Sequence, residues 1–354
     1  MTIVVDCRMI DSSGVGVYLR GCLPFFLQSK NNILLLGNAR FIRSYIPNEN
    51  VNVIECNVKP FSINEFFFPS KVAKEINKAD AFFSPFFNIP CGITIPVYTT
   101  IHDIIFPDMP ELSTRVGIAV RMWFFRRAYK KSRKIFTVSK FSKSRIEHHL
   151  GTEKPVIVTY MAILPMFLDY KANSQNVQKN ETIVFIGNIK KHKKLDCLLD
   201  AFHRAKSEGL PHRLIIIGSG ENLRTSDKAI LRKIKKIENG ALSFTGFVSD
   251  EKLMEYLSTA ALLVQPSLYE GFCLPPLEAL VLGTHALISD IPVLKEIYSD
   301  YPVTFFRNGD SNDLKEKLLG LLYNRTSSSP VLSDELLSKY TFQKTSSTIL
   351  KELE

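Results

Sequence analysis

Short apolar runs alternate along this chain with longer stretches in which apolar positions recur every three to four residues. The runs Thr2–Asp6, Asn32–Leu36, Val51–Cys56, Ala81–Ser84, Val97–Ile101 and Lys134–Val138 predict strands, and Gly16–Leu27 predicts a helix entered through a glycine turn. They are continuous and β-branched rather than alternating, which is the pattern of parallel strands covered on both faces. The polar stretch Asp169–Glu181, rich in Asn and Gln, predicts a linker. Beyond it the rhythm restarts with strands at Thr182–Gly187, Arg213–Gly218, Leu242–Thr245, Leu262–Pro266 and Thr284–Ser289. Helices are predicted at Leu195–Ser207, Lys228–Glu238, Asp250–Leu257 and Pro276–Leu282, and a last helical stretch over Asp334–Leu353. The order implies two doubly wound α/β domains. They are expected at residues 1–170 and 171–333, with 334–354 returning to the first domain. Ligands of open α/β sheets bind outside the carboxyl ends of the strands, so two such halves are expected to face a cleft.

Composition narrows the classes. Apolar residues make up 45% and charged residues 23% of 354, as in a soluble globular protein. The six cysteines form no C-x-x-C pair and read as reduced, buried thiols. No Cys/His spacing suits zinc. No apolar run reaches the ~18 residues of a membrane span, and Asp6 and Arg8 interrupt any signal-peptide core. A cytoplasmic protein is therefore expected. The net charge of +10 is local: residues 112–146 hold eleven Lys/Arg and no Asp/Glu, and removing those eleven from the 45 basic residues leaves 34 against 35 acidic. Within that segment Arg115–Lys134 predicts a helix. Ile118, Met122, Phe125, Ala128 and Tyr129 share its core face. Arg115, Arg126, Arg127, Lys130 and Lys134 share the other, along with Val116, Val120 and Trp123. Cations beside an exposed Trp suit an anionic membrane surface. No nucleic-acid motif accompanies them.

The richest stretch is Pro266-Ser-Leu-Tyr-Glu-Gly-Phe-Cys-Leu-Pro-Pro-Leu-Glu-Ala-Leu280, which follows a strand and opens a helix. Its Gly/Pro turn can aim backbone N–H groups at an anion, while Glu270 and Glu278 can accept from hydroxyls. A nucleotide sugar needs both. The Lys190-Lys-His-Lys-Lys194 run supplies cations after another strand. Gly218-Ser-Gly220 is only a partial dinucleotide fingerprint, because position 223 is Leu. There is no D-x-D to hold a metal-bound diphosphate.

The 266–280 stretch resembles the E-G-F-G-L-P-x-L-E-A motif of glycosyltransferase family four (group 1 glycosyltransferases), which has the GT-B fold. Phe185–Leu195, Phe244–Leu253, Ile101-His-Asp103, Thr137–Ser144 and Ser13–Tyr18 resemble further motifs of that family in the right order. The resemblance implies that Glu270 contacts donor-sugar hydroxyls and that Glu278 accepts from the ribose. It implies further that the turn at Gly271, Phe272, Cys273 and Leu274 cradles the diphosphate or sugar, and that backbone at Val248 meets the base. Lys193 would stabilise the leaving phosphate, which matters most in the transition state. His102 would approach the donor sugar, and Gly16 would let the backbone near the diphosphate. Two positions depart from the family: Cys273 stands where glycine is usual, and Asn188 where an arginine is usual. A second cation is then expected from Lys190, Lys191, Lys194 or a protonated His192.

So read, the chain is a retaining, metal-independent hexosyltransferase without a cofactor. A lipid-linked glycan is the expected acceptor, in bacterial surface polysaccharide assembly, and GDP-mannose the first expectation for the donor. Retention without an evident nucleophile implies same-face attack, with the departing phosphate as base and Glu270 positioning the sugar. The alternatives are a GT-B epimerase or phosphorylase, an inactive sugar-nucleotide-binding homologue, and a two-lobed solute-binding protein. The last is disfavoured by the expected absence of a signal peptide.

Overall fold

The computed structural model describes residues 1–354 apart from 13, 48–49, 66–67, 174–176, 219–232, 235–236, 238–239 and 324–328. The chain divides into two compact units. One comprises Met1–Leu164 with Tyr340–Glu354, the other Pro165–Lys339.

The first unit holds a seven-stranded parallel sheet of β1 (Thr2–Asp6), β2 (Asn32–Gly37), β3 (Asn52–Glu55), β4 (Ala81–Ser84), β5 (Val97–Thr100), β6 (Ser132–Thr137) and β7 (Val156–Val158). Its order is β3-β2-β1-β4-β5-β6-β7, so the strand order reverses between β1 and β4. Strand β4 is buried along its whole length, as its unbroken Ala-Phe-Phe-Ser pattern requires. Helix Gly14–Leu27 packs on the chain's last helix, Phe342–Leu353, with the Phe342 ring seated where Gly21 has no side chain. Lys134 pairs with Glu352 at 2.7 Å, and Tyr98 Oη donates to the Leu353 carbonyl at 3.4 Å. The helical stretch expected over 334–353 is broken in two. The first part ends at Lys339, and Thr341 caps the second by accepting from the Lys344 amide.

The second unit carries a six-stranded parallel sheet of β8 (Thr182–Ile186), β9 (Arg213–Ile217), β10 (Leu242–Gly246), β11 (Leu262–Gln265), β12 (His285–Ser289) and β13 (Thr304–Phe306). The order β10-β9-β8-β11-β12-β13 is that of a Rossmann sheet, reversing between β8 and β11. Helix Leu195–Ser207 buries Leu195, Leu198, Leu199 and Phe202 at helical spacing against β8 and β9. The units meet in sequence at 164/165 and 339/340. Part of the polar stretch expected to be a linker is helix Pro165–Asn173, which packs on helix Pro275–Val281 of the second unit. Most of the helix expected at 228–238 lies outside the described residues, as do Gly220, Leu223 and Ser13. Among the described residues no helix is long and apolar enough to cross a membrane.

Candidate functional site

The carboxyl ends of β8, β9 and β10 are each marked by a glycine with positive φ: Gly187 (146°), Gly218 (146°) and Gly246 (70°). A side chain at Gly218 would run into the Gly187 carbonyl, 2.5 Å from the ideal Cβ position. The Lys193 stem lies across Gly187, its Cε 3.6 Å from where a Cβ would stand. Glycine thus leaves room at the end of β8, and one lysine occupies it.

Lys193 meets Glu270 there. Its Nζ donates to Glu270 Oε1 at 2.6 Å, and Ser267 Oγ donates to the same oxygen at 2.6 Å. The two side chains are 20% and 10% exposed, so solvent screens the pair weakly. A second tie joins the loops after β8 and β11, because the Leu268 amide donates to the His192 carbonyl at 2.7 Å. Burial works to raise the Glu270 carboxyl, but its pairing with Lys193 and the hydrogen bond from Ser267 outweigh it and hold the group below the ordinary range.

Glu278 behaves oppositely. It sits on helix Pro275–Val281 with its side chain buried, and burial together with the nearby charge of Asp250 pushes its pKa up to about 8. The two glutamates of one motif are therefore pushed in opposite directions: Glu270 is held ionised and paired, and Glu278 is biased toward its protonated form near neutrality. Asp250 opens the helix Asp250–Thr259, which follows the Val248 loop and packs on helix Pro275–Val281.

The turn between the glutamates is tightly held. Gly271, Phe272, Cys273 and Leu274 are buried, and Tyr298 Oη donates to the Cys273 carbonyl. Cys273 has φ 75°, a left-handed conformation costing a non-glycine residue roughly 1–2 kcal/mol. Glycine, which the resembled motif carries at this position, adopts that conformation without the cost. Pro275 and Pro276 open the following helix and have no N–H, so any anion there must be met by amides of the preceding turn.

The remaining expectations fare unevenly. Asn188 is exposed at the end of β8. Of the proposed second cations, His192 is disfavoured as a protonated group in the ligand-free protein: burial pulls its pKa down to about 4, with Lys193 and Lys190 adding to the effect against Glu270. Lys194 is committed to Asp196 at 3.0 Å. Lys190 and Lys191 are exposed. In the first unit His102 follows β5. Its Nε2 must carry the proton donated to the Pro85 carbonyl at 2.9 Å, which makes Nδ1 an acceptor. Burial lowers its pKa to about 4, so the imidazole is neutral, and Tyr18 stacks on it edge-on at 5.0 Å. Gly16 has a packing role, since an added Cβ would lie 2.6 Å from the Ile10 carbonyl. Sequence reasoning missed Ser267 and the neutral state of His192. The first was visible only as a serine three residues before Glu270. The second depends on burial that no local pattern announces.

Residues 167–333 match the family Glycosyl transferases group 1, an interval containing every site loop of the second unit. The chain is 26% identical over 216 residues to O-antigen chain mannosyltransferase B of Escherichia coli, covering 57% of this chain and 55% of that protein. It is 30% identical over 138 residues to the serotype-specific mannosyltransferase WbdA of the same organism, covering 38% of this chain and 17% of that one. The chain thus spans about half of the first relative and a sixth of the second. Among solved structures, Anabaena HepE in complex with UDP-glucose superposes with a TM-score of 0.73 at 15% identity, over 100% of this chain and 99% of that one. It shares the α/β GT-B fold. Residues 167–333 thus match the group 1 glycosyl transferases, the chain as a whole shares the α/β GT-B fold, and bacterial mannosyltransferases are among its relatives.

Proposed function

We propose that the protein transfers a hexose, with mannose from GDP-mannose as the leading candidate, from a nucleotide sugar to a glycan acceptor with retention at the anomeric carbon. The observation that carries this reading is the Lys193–Glu270 pair, nearly buried at the carboxyl ends of β8 and β11. Without ligand, each charge neutralises the other. With donor bound, Lys193 turns to the diphosphate and Glu270 accepts from sugar hydroxyls, so neither is left buried and uncompensated. As the glycosidic bond breaks, charge grows on the phosphate and the ammonium stabilises the transition state more than the ground state. His102 is neutral at working pH and serves as a hydrogen-bond acceptor through Nδ1, which leaves the departing phosphate as the base. The names of the E. coli relatives support a surface polysaccharide and mannose. The bound UDP-glucose of HepE favours a second reading, a UDP-hexose donor. The acceptor in this reading is lipid-linked, with the enzyme working at the cytoplasmic face of a membrane.

Lysine in place of a metal has a direct test: turnover is expected to survive excess EDTA. Complete loss on chelation, restored by magnesium or manganese, contradicts the assignment.

Glu278 gives a pH signature. Two ribose hydroxyls donate best to an ionised carboxylate, and the ligand-free group must lose a proton first. Affinity for a nucleotide sugar, whose phosphodiesters do not titrate here, is therefore expected to rise from pH 6 to about 8 and then level. At pH 7 binding should release close to one proton, read by calorimetry in buffers of different ionisation enthalpy. Glu278→Gln should abolish both effects and weaken binding by roughly 1.5–3 kcal/mol, the worth of hydrogen bonds to a charged group. Affinity independent of pH in the wild type removes Glu278 from the ribose.

A further inference from the structure

Helix Arg115–Lys131 buries Met122, Phe125, Ala128 and Tyr129 and turns its other face to solvent. On that face Val116 is 74% exposed, Val120 51% and Trp123 49%. Their i, i+4, i+7 spacing puts them within about 60° of one another around the helix. The exposed cations Arg115, Arg126 and Lys130 run along one side of this stripe. The remaining cations of the helix are used within the unit. Arg127 donates to the Ile89 carbonyl at 2.5 Å and the Pro90 carbonyl at 3.4 Å. Lys131 donates to the Ile93 carbonyl at 3.3 Å, and Arg121 stacks on the Phe106 ring at 4.1 Å. The helix carries no acidic residue, so the exposed Arg115, Arg126 and Lys130 complement a negative surface, and three adjacent exposed apolar side chains call for an apolar phase behind it.

We propose that this face docks on an anionic lipid bilayer, with Val116, Val120 and Trp123 entering the interface and Arg115, Arg126 and Lys130 meeting the headgroup phosphates. A lipid-linked acceptor gives the docking its purpose, and to that extent the inference rests on the function proposed above. Arg127 and Lys131 brace the 89–93 segment and lie outside the docking footprint.

The test is co-sedimentation with phosphatidylglycerol/phosphatidylcholine vesicles and with phosphatidylcholine alone, with emission recorded from Trp123, the chain's single tryptophan. Wild type is expected to bind the anionic vesicles, release at high salt and shift its emission to the blue. Removing one charge near such a surface lowers partitioning about fivefold. Arg115→Gln, Arg126→Gln and Lys130→Gln together should therefore lower it on the order of a hundredfold. Val116→Ser with Val120→Ser should also release the protein. Arg127→Gln should lower thermal stability while leaving partitioning within about fivefold. Absence of anionic-vesicle binding, a fixed Trp123 emission, or unchanged partitioning of the triple variant each overturns the proposal. Donor hydrolysis measured in vesicle-free solution separates the two readings. Hydrolysis without vesicle binding retires the docking face alone. Vesicle binding without binding or consumption of any donor retires the transferase reading and leaves the face standing.

Discussion

Lys193→Ala is expected to lower turnover at saturating donor by roughly 10²–10³-fold, the cost of removing one preorganised group aimed at developing charge, while donor affinity falls by about tenfold or less. The asymmetry follows from position. In the ligand-free protein the ammonium already has a partner in Glu270 at 2.6 Å, so its net gain on binding the ground-state diphosphate is small. Its gain as the phosphate leaves is larger. Lys193→Arg should recover part of the loss. The same substitution by alanine has a second readout with a definite sign. Lys193 is the main influence holding Glu270 ionised against burial. Without it burial prevails, the carboxyl titrates higher, and the acid limb of the pH–rate profile should move toward neutral pH. A pure affinity loss with unchanged turnover would show that Lys193 only anchors the ground state.

Glu270→Ala is expected to be at least as damaging to turnover, through a different route. The sugar loses a carboxylate that orients its hydroxyls, and Lys193 is left nearly buried without its counter-ion. Breaking a buried pair by removing one partner is strongly unfavourable, so thermal stability should fall as well. Glu270→Gln keeps an acceptor oxygen and a similar shape. It should retain more stability than the alanine variant yet remain impaired in turnover, since the charge is gone. Equal turnover in Glu270→Gln and wild type would reduce Glu270 to a structural partner of Lys193.

Much of the fold was legible because most of its strands are unbroken apolar runs bounded by polar or turn residues. Thr2–Asp6, Ala81–Ser84 and the helix Leu195–Ser207 were read at the observed bounds. Three-residue strands such as Val156–Val158 and Thr304–Phe306 were missed, being too short for any periodicity to register. The break at Thr341 was missed because apolar spacing continues through it and only the cap reveals the interruption. The core face of the basic helix was read correctly at Met122, Phe125, Ala128 and Tyr129. The division of its cations was not, because the carbonyls that engage Arg127 and Lys131 come from a segment some 38 residues earlier. At the candidate site, the sequence places the loops but not their pairing. Lys193 and Glu270 are 77 residues apart, and only the adjacency of β8 and β11 brings them together. The opposite shifts of Glu270 and Glu278 likewise come from burial and from neighbours on other elements.

If this chain consumes a nucleotide sugar at the Lys193–Glu270 site, the fate of the donor reports it. Incubation at pH 8 with a panel of sugar-labelled nucleotide sugars, including GDP-mannose, UDP-glucose and a dTDP-hexose, tests it most directly. One donor, GDP-mannose before the others, is expected to yield nucleoside diphosphate and lose its labelled sugar to acceptor or water, and Lys193→Ala and Glu270→Ala are expected to abolish this. A folded wild-type protein that neither binds nor consumes any member of the panel would contradict the transferase reading.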